Sequence, residues 1–220
     1  RSTLFPYTTL FRSWLTRALA REAARIAPAT ACVVASSAGY WDALSAAPLA
    51  YLKRWPVLLA GPGGELSEET LALVGEAGYA EAYVAGGPAS VAPSAEAALK
   101  SAGASRVERL AGGTAWETSA KVAERALALG MAADGVGVAD GNGYWDALTG
   151  AALCGRSGAP LVLVPRDGAS SEGWELSYDP HCIDAFVRPH APEISRGRVF
   201  GGEASVPAST LEALKEATRR

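Results

Sequence analysis

Two stretches of the chain carry the same run of chemically capable residues. They are Gly39-Tyr40-Trp41-Asp42-Ala43-Leu44 and Gly143-Tyr144-Trp145-Asp146-Ala147-Leu148, 104 positions apart. An indole such as Trp41 or Trp145 can stack on a sugar ring, and the plainer alternative is burial against a neighbouring helix. Asp42 and Asp146 sit where a helix would start, which suits a dipole or capping role better than a catalytic one. A second repeated pair is Gly86-Gly87 with Ser90 and Gly201-Gly202 with Ser205. Glycine lets backbone N–H groups approach a ligand, and a helix N-terminus adds about half a positive charge. One such turn offers an anion roughly 0.3–1 kcal/mol, about 2 if partly buried. A millimolar ligand already needs about 4 kcal/mol. A single turn of this kind is therefore not a binding site. Arg109 either meets an acidic group on a ligand or pairs with Glu108 or Glu117, and the Gly-Gly turns can also serve close strand–helix packing alone.

Catalytic constellations are sparse. Gly61-Pro62-Gly63-Gly64-Glu65-Leu66 lacks the closing Gly or Ala of a dinucleotide fingerprint. No phosphate-binding loop or Gly-x-Ser-x-Gly elbow is present. The two histidines, His181 and His190, fall near Cys182, Asp179 and Asp184. Neighbouring side chains of an extended segment point to opposite sides, so His181 and Cys182 do not readily share a ligand. This stretch reads as a Pro-bounded surface insertion rather than a metal or nucleophile site. Cys32, Cys154 and Cys182 are odd in number and lack metal-ligand spacing, so they assign no redox compartment. A net charge of −3 gives no whole-molecule basic field for nucleic acid. No run approaches the roughly 20 apolar residues of a membrane span. No cofactor is implied.

The elements that must position these residues are also written twice. The 104-residue offset carries Pro56-Val57-Leu58-Leu59 onto Pro160-Leu161-Val162-Leu163, while the Gly-Gly turns are 115 apart. The second copy thus holds about 11 extra residues, placed most simply within 165–195. Short apolar, β-branched runs at 31–36, 56–60, 81–85 and 106–110 predict strands, with helices over 40–54, 67–77 and 90–102. Ser67 suits an N-cap and Gly78 a C-cap, and Thr114-x-x-Glu117 is a capping-box pattern opening a helix over 114–129. The second copy repeats the scheme with strands near 135–139, 160–164 and 196–200 and helices over 143–154 and 205–218. Continuously apolar strands separated by helices belong to parallel sheets covered on both faces. The expected class is α/β, as two tandem doubly wound, flavodoxin-like repeats. In such sheets ligands bind outside the carboxyl ends of the strands, where both repeated motifs fall.

The chain resembles the cell wall-binding repeat type 2 family. The likeness is carried by Trp41-Asp42-Ala43-Leu44-Ser45-Ala46-Ala47-Pro48-Leu49-Ala50, Pro56-Val57-Leu58-Leu59, Tyr83-Val84-Ala85-Gly86-Gly87, Ser90-Val91, Arg109-Leu110-Ala111-Gly112 and Glu117-Thr118. The second copy adds Asp146-Ala147-Leu148, Pro160-Leu161-Val162-Leu163 and Gly201-Gly202. Val57-Leu58-Leu59 and Leu161-Val162-Leu163 stand where the family has an Ile-Leu-Leu motif linked to polymer binding. Their apolar run makes them buried strands, hence structural support. Ala115-Trp116-Glu117-Thr118-Ser119 departs from the family's Arg-Tyr-x-Thr-Ala. The resemblance implies a secreted, wall-located, non-catalytic module of a Gram-positive surface protein. Its implied partner is an anionic secondary wall polymer of the teichoic-acid kind, held by Tyr40, Trp41, Asp42, Gly86, Gly87, Ser90 and Arg109 in the first copy and by Tyr144, Trp145, Asp146, Gly201, Gly202 and Ser205 in the second. The alternative is an enzyme acting on a nucleotide or sugar on the same scaffold.

Thr3–Ser13 resembles a translated sequencing adapter, so residues 1–13 are set apart from the fold. The expected organisation is a first repeat over 14–110, lacking its opening segment, and a second over 111–220 with its insertion. Because family modules group three repeats, a further repeat is expected in an intact parent.

Overall fold

The computed structural model describes residues 5–166 and 182–219, with side chains from residue 14 onward. It divides into two compact units, Arg1–Ala43 with Lys53–Ala111 and Leu44–Leu52 with Gly112–Arg220.

In the first unit, β1 (Ala31–Ser36), β2 (Val57–Ala60), β3 (Glu81–Ala85) and β4 (Arg106–Leu110) form a parallel sheet of order β2-β1-β3-β4. The helices are α1 (Phe5–Ile26), α2 (Trp41–Lys53), which begins in this unit and continues into the other, α3 (Glu68–Ala77) and α4 (Ser94–Ser101). The second unit has β5 (Gly135–Asp140), β6 (Leu161–Val164) and β7 (Arg196–Phe200) in the parallel order β6-β5-β7. Its helices are α5 (Ala115–Ala128), α6 (Trp145–Ser157) and α7 (Ala208–Ala217), with a π-helix over Ile183–Val187. The expected doubly wound α/β class is the class observed.

Sheet register carries the duplication into three dimensions. Val33 lies opposite Val57 and Gly137 opposite Leu161, one 104-residue step apart. Ala31 faces Glu81 and Gly135 faces Arg196, so β7 corresponds to β3 at the 115-residue offset. The extra residues between β6 and β7 are accommodated without a register slip. A slip of one residue would turn every apolar side chain to the wrong face. β1 and β5 are buried along their whole length, as central parallel strands require. Val57-Leu58-Leu59 alternates half-buried and buried, and Leu161-Val162-Leu163 is wholly buried.

Local signals set several helix ends. Ser67 accepts the N–H of Thr70, and Gly78 closes α3 in the left-handed region at φ +67°. Thr114 accepts the N–H of Glu117, whose carboxylate accepts from Gly113. Three expectations are corrected. α4 and α7 open at Ser94 and Ala208, not near Ser90 and Ser205. Pro93 and Pro207 push the residue before them out of the helical region, so the helix waits for the proline. α1 occupies the place that α5 has in the second copy, packed on β2 and α3, a helix not foreseen from the sequence pattern. The stretch read as a surface insertion is also partly core. Cys182, Ile183, Phe186 and Val187 are buried in the second apolar cluster, where they replace α3 of the first. His181 lies outside the described residues. His190 bonds Glu124 at 2.9 Å, and all three cysteines are buried and outside any disulfide among the described residues.

Candidate functional site

Both repeated motifs meet at the carboxyl ends of the strands. In the first unit α2 begins just after β1, and Trp41 folds its indole back so that a Cβ on Gly39 would collide with the ring. The Tyr40 ring lies 4.4 Å from it, tilted by 31°. Trp41 is 36% exposed. The neighbouring Asp42 turns its carboxylate onto the Gly86-Gly87 turn that follows β3. A Cβ on Gly86, at φ +112°, would land on that carboxylate and against Ser90. The Ser90 side chain hydrogen-bonds Asp42, while burial pushes the Asp42 pKa up and outweighs this bond.

Arg109 ties the turn to its surroundings. Its Nη1 donates to the Gly86 carbonyl at 2.7 Å and its Nε to Glu96 Oε1 of α4 at 2.6 Å. The Gly86 N–H in turn donates to the Leu110 carbonyl at 3.0 Å. Arg109 thus pairs with neither Glu108 nor Glu117 as expected. Glu108 takes Arg106 and Glu117 takes the Gly113 N–H. Its Nη2 is buried with no hydrogen-bond partner among the described residues.

The second unit rebuilds this arrangement with its own residues. Tyr144 stacks on Trp145 at 4.2 Å and 17°, and a Cβ on Gly143 would lie 3.0 Å from the indole. Trp145 is 65% exposed. A Cβ on Gly201, at φ +110°, would lie 2.6 Å from Asp146 Oδ2 and 2.8 Å from the Ser205 Cβ. The expected burial of Trp41 and Trp145 is therefore corrected. Each indole packs against its own glycine and stays partly exposed, because a glycine two residues back gives it a local seat. Gly87 and Gly202 are the open members of their pairs, with no atom within 4 Å of an added Cβ.

One part of the site went unread in the sequence. Asp140 ends β5 where Ser36 ends β1, and it is 2% exposed. Arg166 grips its Oδ2 through Nε at 3.0 Å and Nη2 at 2.6 Å, and Asn142 donates its N–H to Oδ1 at 2.7 Å. In the first unit the Ser36 hydroxyl accepts the Ala38 N–H at 3.1 Å, a weaker form of the same turn. The Asp-Gly-Asn run was the available signal for it. Among the described residues no cluster of His, Cys, Asp and Glu could hold a metal ion. What each unit offers is an exposed tryptophan, a carboxyl group held in a turn and an open glycine. Together these suit recognition of a hydroxyl-rich ligand.

Comparison with known proteins agrees with the repeat pattern. The model of cell wall binding domain 2 (CWB2) matches residues 17–96 and 109–211. N-acetylmuramoyl-L-alanine amidase LytC of Bacillus subtilis (strain 168) is 28% identical over 191 residues, covering 87% of this chain and 35% of that protein. Among solved structures, Cwp6 from Clostridium difficile aligns with a TM-score of 0.78 at 20% identity, over 94% of this chain and 30% of that one. Cwp8 from the same organism gives 0.72 at 23% identity, over 92% and 32%. The chain spans about a third of the length of each of these relatives.

Proposed function

Since the chain belongs to the cell wall binding domain 2 family, we propose that it is a non-catalytic module that fixes a secreted protein to the bacterial wall by non-covalent binding of an anionic wall glycopolymer. The observation that carries this reading is the duplicated cluster at the strand ends. In each copy an exposed Trp, in ring contact with the Tyr before it, stands beside an Asp–Gly–Ser turn. Sugar rings stack on the faces of Trp41 and Trp145, and the open glycines Gly87 and Gly202 admit acidic groups of the polymer to the backbone. The half-buried carboxyl groups of Asp42 and Asp146 belong to the turn and hold its shape.

Each cluster is weak alone, as the energies above require. A repeating polymer engages both copies on one chain, and tethering raises avidity by about 10²–10⁴ without any new contact. The test is sedimentation with purified Gram-positive walls, before and after extraction of their acidic polymer. Retention falls after extraction. It also falls at least tenfold in Trp41→Ala/Trp145→Ala, whose far-UV circular dichroism stays that of the parent chain. Equal retention on both wall preparations removes the polymer from the account.

A further inference from the structure

The turn that leads into α6 carries a reactive pair. Asn142 is the one asparagine of the chain, which has no glutamine, and Gly143 follows it. In such a pair the glycine nitrogen can close on the side-chain carboxamide, because glycine brings no Cβ to obstruct the ring. A hydrogen bond on that nitrogen holds the reaction back, since the bond must open first. The same turn shows a protected pair and an unprotected one, side by side. In Asp140-Gly141 the Gly141 N–H donates to the Val164 carbonyl at 2.8 Å, and both Asp140 oxygens are taken by Arg166 and the Asn142 N–H. In Asn142-Gly143 the restraints fall elsewhere. Asn142 is exposed, and its own N–H is held by Asp140 Oδ1 at 2.7 Å in an Asx turn. Its Oδ1 accepts the Arg166 backbone N–H at 3.0 Å, which polarises the carbonyl and makes Cγ more electrophilic. Among the described residues its Nδ2, the leaving group, has no hydrogen-bond partner, and neither has the Gly143 N–H. Gly143 is buried against the Trp145 indole, where a Cβ would lie 3.0 Å from the ring. A bulkier residue that would slow the closure is therefore disfavoured beside this asparagine.

We propose that Asn142 is a site of spontaneous deamidation, which adds a carboxylate to the second strand-end cluster alone. The Gly143 nitrogen loses its proton to hydroxide and attacks Asn142 Cγ. A C–N bond forms there as the Cγ–Nδ2 bond breaks, and Nδ2 takes a proton from water and departs as ammonia. Water then opens the cyclic imide at either carbonyl, leaving aspartate or isoaspartate at position 142. Both products place a new negative charge beside Asp140, where Arg166 already balances one. Isoaspartate also lengthens the main chain by a methylene just ahead of Tyr144 and Trp145. The first copy has Ala38-Gly39 at the 104-residue offset and no carboxamide to lose. With age the two copies thus become unlike in charge.

The experiment incubates the full chain at pH 8, native and in concentrated urea, and follows intact mass together with ammonia released. With one asparagine and no glutamine, both readouts report position 142 alone. The native chain gains about 1 Da and frees one equivalent of ammonia. It does so at about a tenth or more of its rate in urea, since an unbonded amide needs no opening step. A slower native rate overturns the proposal, because the turn would then shield Asn142 as it shields Asp140-Gly141. Digestion of the converted native chain yields aspartate and isoaspartate at position 142 together, the signature of the imide. Aspartate alone would mean direct hydrolysis and also overturns it. No wall enters these readouts, so the reactivity of Asn142 and the polymer reading fail independently.

Discussion

Gly86 and Gly87 are neighbours with opposite demands on their side chains. Gly86 sits at φ +112° with Asp42 and Ser90 where a methyl group would go, whereas an added Cβ on Gly87 meets nothing. Gly86→Ala is expected to cost about 1–3 kcal/mol in urea unfolding, the usual size of strain at such a backbone position. Gly87→Ala stays within about 0.5 kcal/mol, as an uncrowded surface change should. Asp42 gives a pH signature of its own. Its folded pKa is raised, by burial first and with the Ser90 bond opposing, so the folded state keeps a proton that the unfolded chain has already released. Stability from this group is fully present below the ordinary carboxylate value and is lost as pH rises through the raised folded value. Asp42→Asn removes that slope, which thermal midpoints taken from pH 3.5 to 7 will show. A slope unchanged in the variant assigns the effect to another group.

At the scale of elements, the edge strand β6 is tied down by one hydroxyl. Ser119 of α5 accepts the Leu163 N–H at 2.9 Å and donates to the Trp116 carbonyl at 2.7 Å, fully buried. Ser119→Ala leaves a buried amide unpaired, and a loss of about 1–3 kcal/mol in denaturant unfolding is expected. The strands were legible because each is a short apolar run between helical stretches, and parallel sheets buried on both faces leave that trace. Helix starts at α4 and α7 were misread by three or four residues. Ser90 and Ser205 look like caps, yet Pro93 and Pro207 govern where the helix can begin. The π-helix over Ile183–Val187 is a single short turn, too brief to show a period, and its burial comes from replacing α3 rather than from any local pattern. Exposure of the two tryptophans depends on a glycine two residues earlier in the chain, a steric fact that composition does not carry. Asp140 with Arg166 was missed because the pair joins residues 26 apart.

At the scale of the whole molecule, each unit closes its own apolar core around thiols rather than bridges. Burial pushes the Cys32 thiol up to about 12 and Cys154 to about 11, and Arg198 lowers the latter only in part. Thiols so protonated are poor nucleophiles. Native protein at pH 8 is expected to leave an aromatic disulfide reagent unconsumed, and denatured protein to consume three equivalents, one per cysteine. Rapid reaction of the native chain would mean that a core opens more readily than its packing implies.

The matched register on either side of the β6–β7 connection has a practical corollary. The second copy holds about 11 more residues there than the first, and its pairing is the same. An insertion in this connection that spares the buried Cys182, Ile183, Phe186 and Val187 is expected to leave the β5–β7 ladder in register, which amide exchange of β5 and β7 checks.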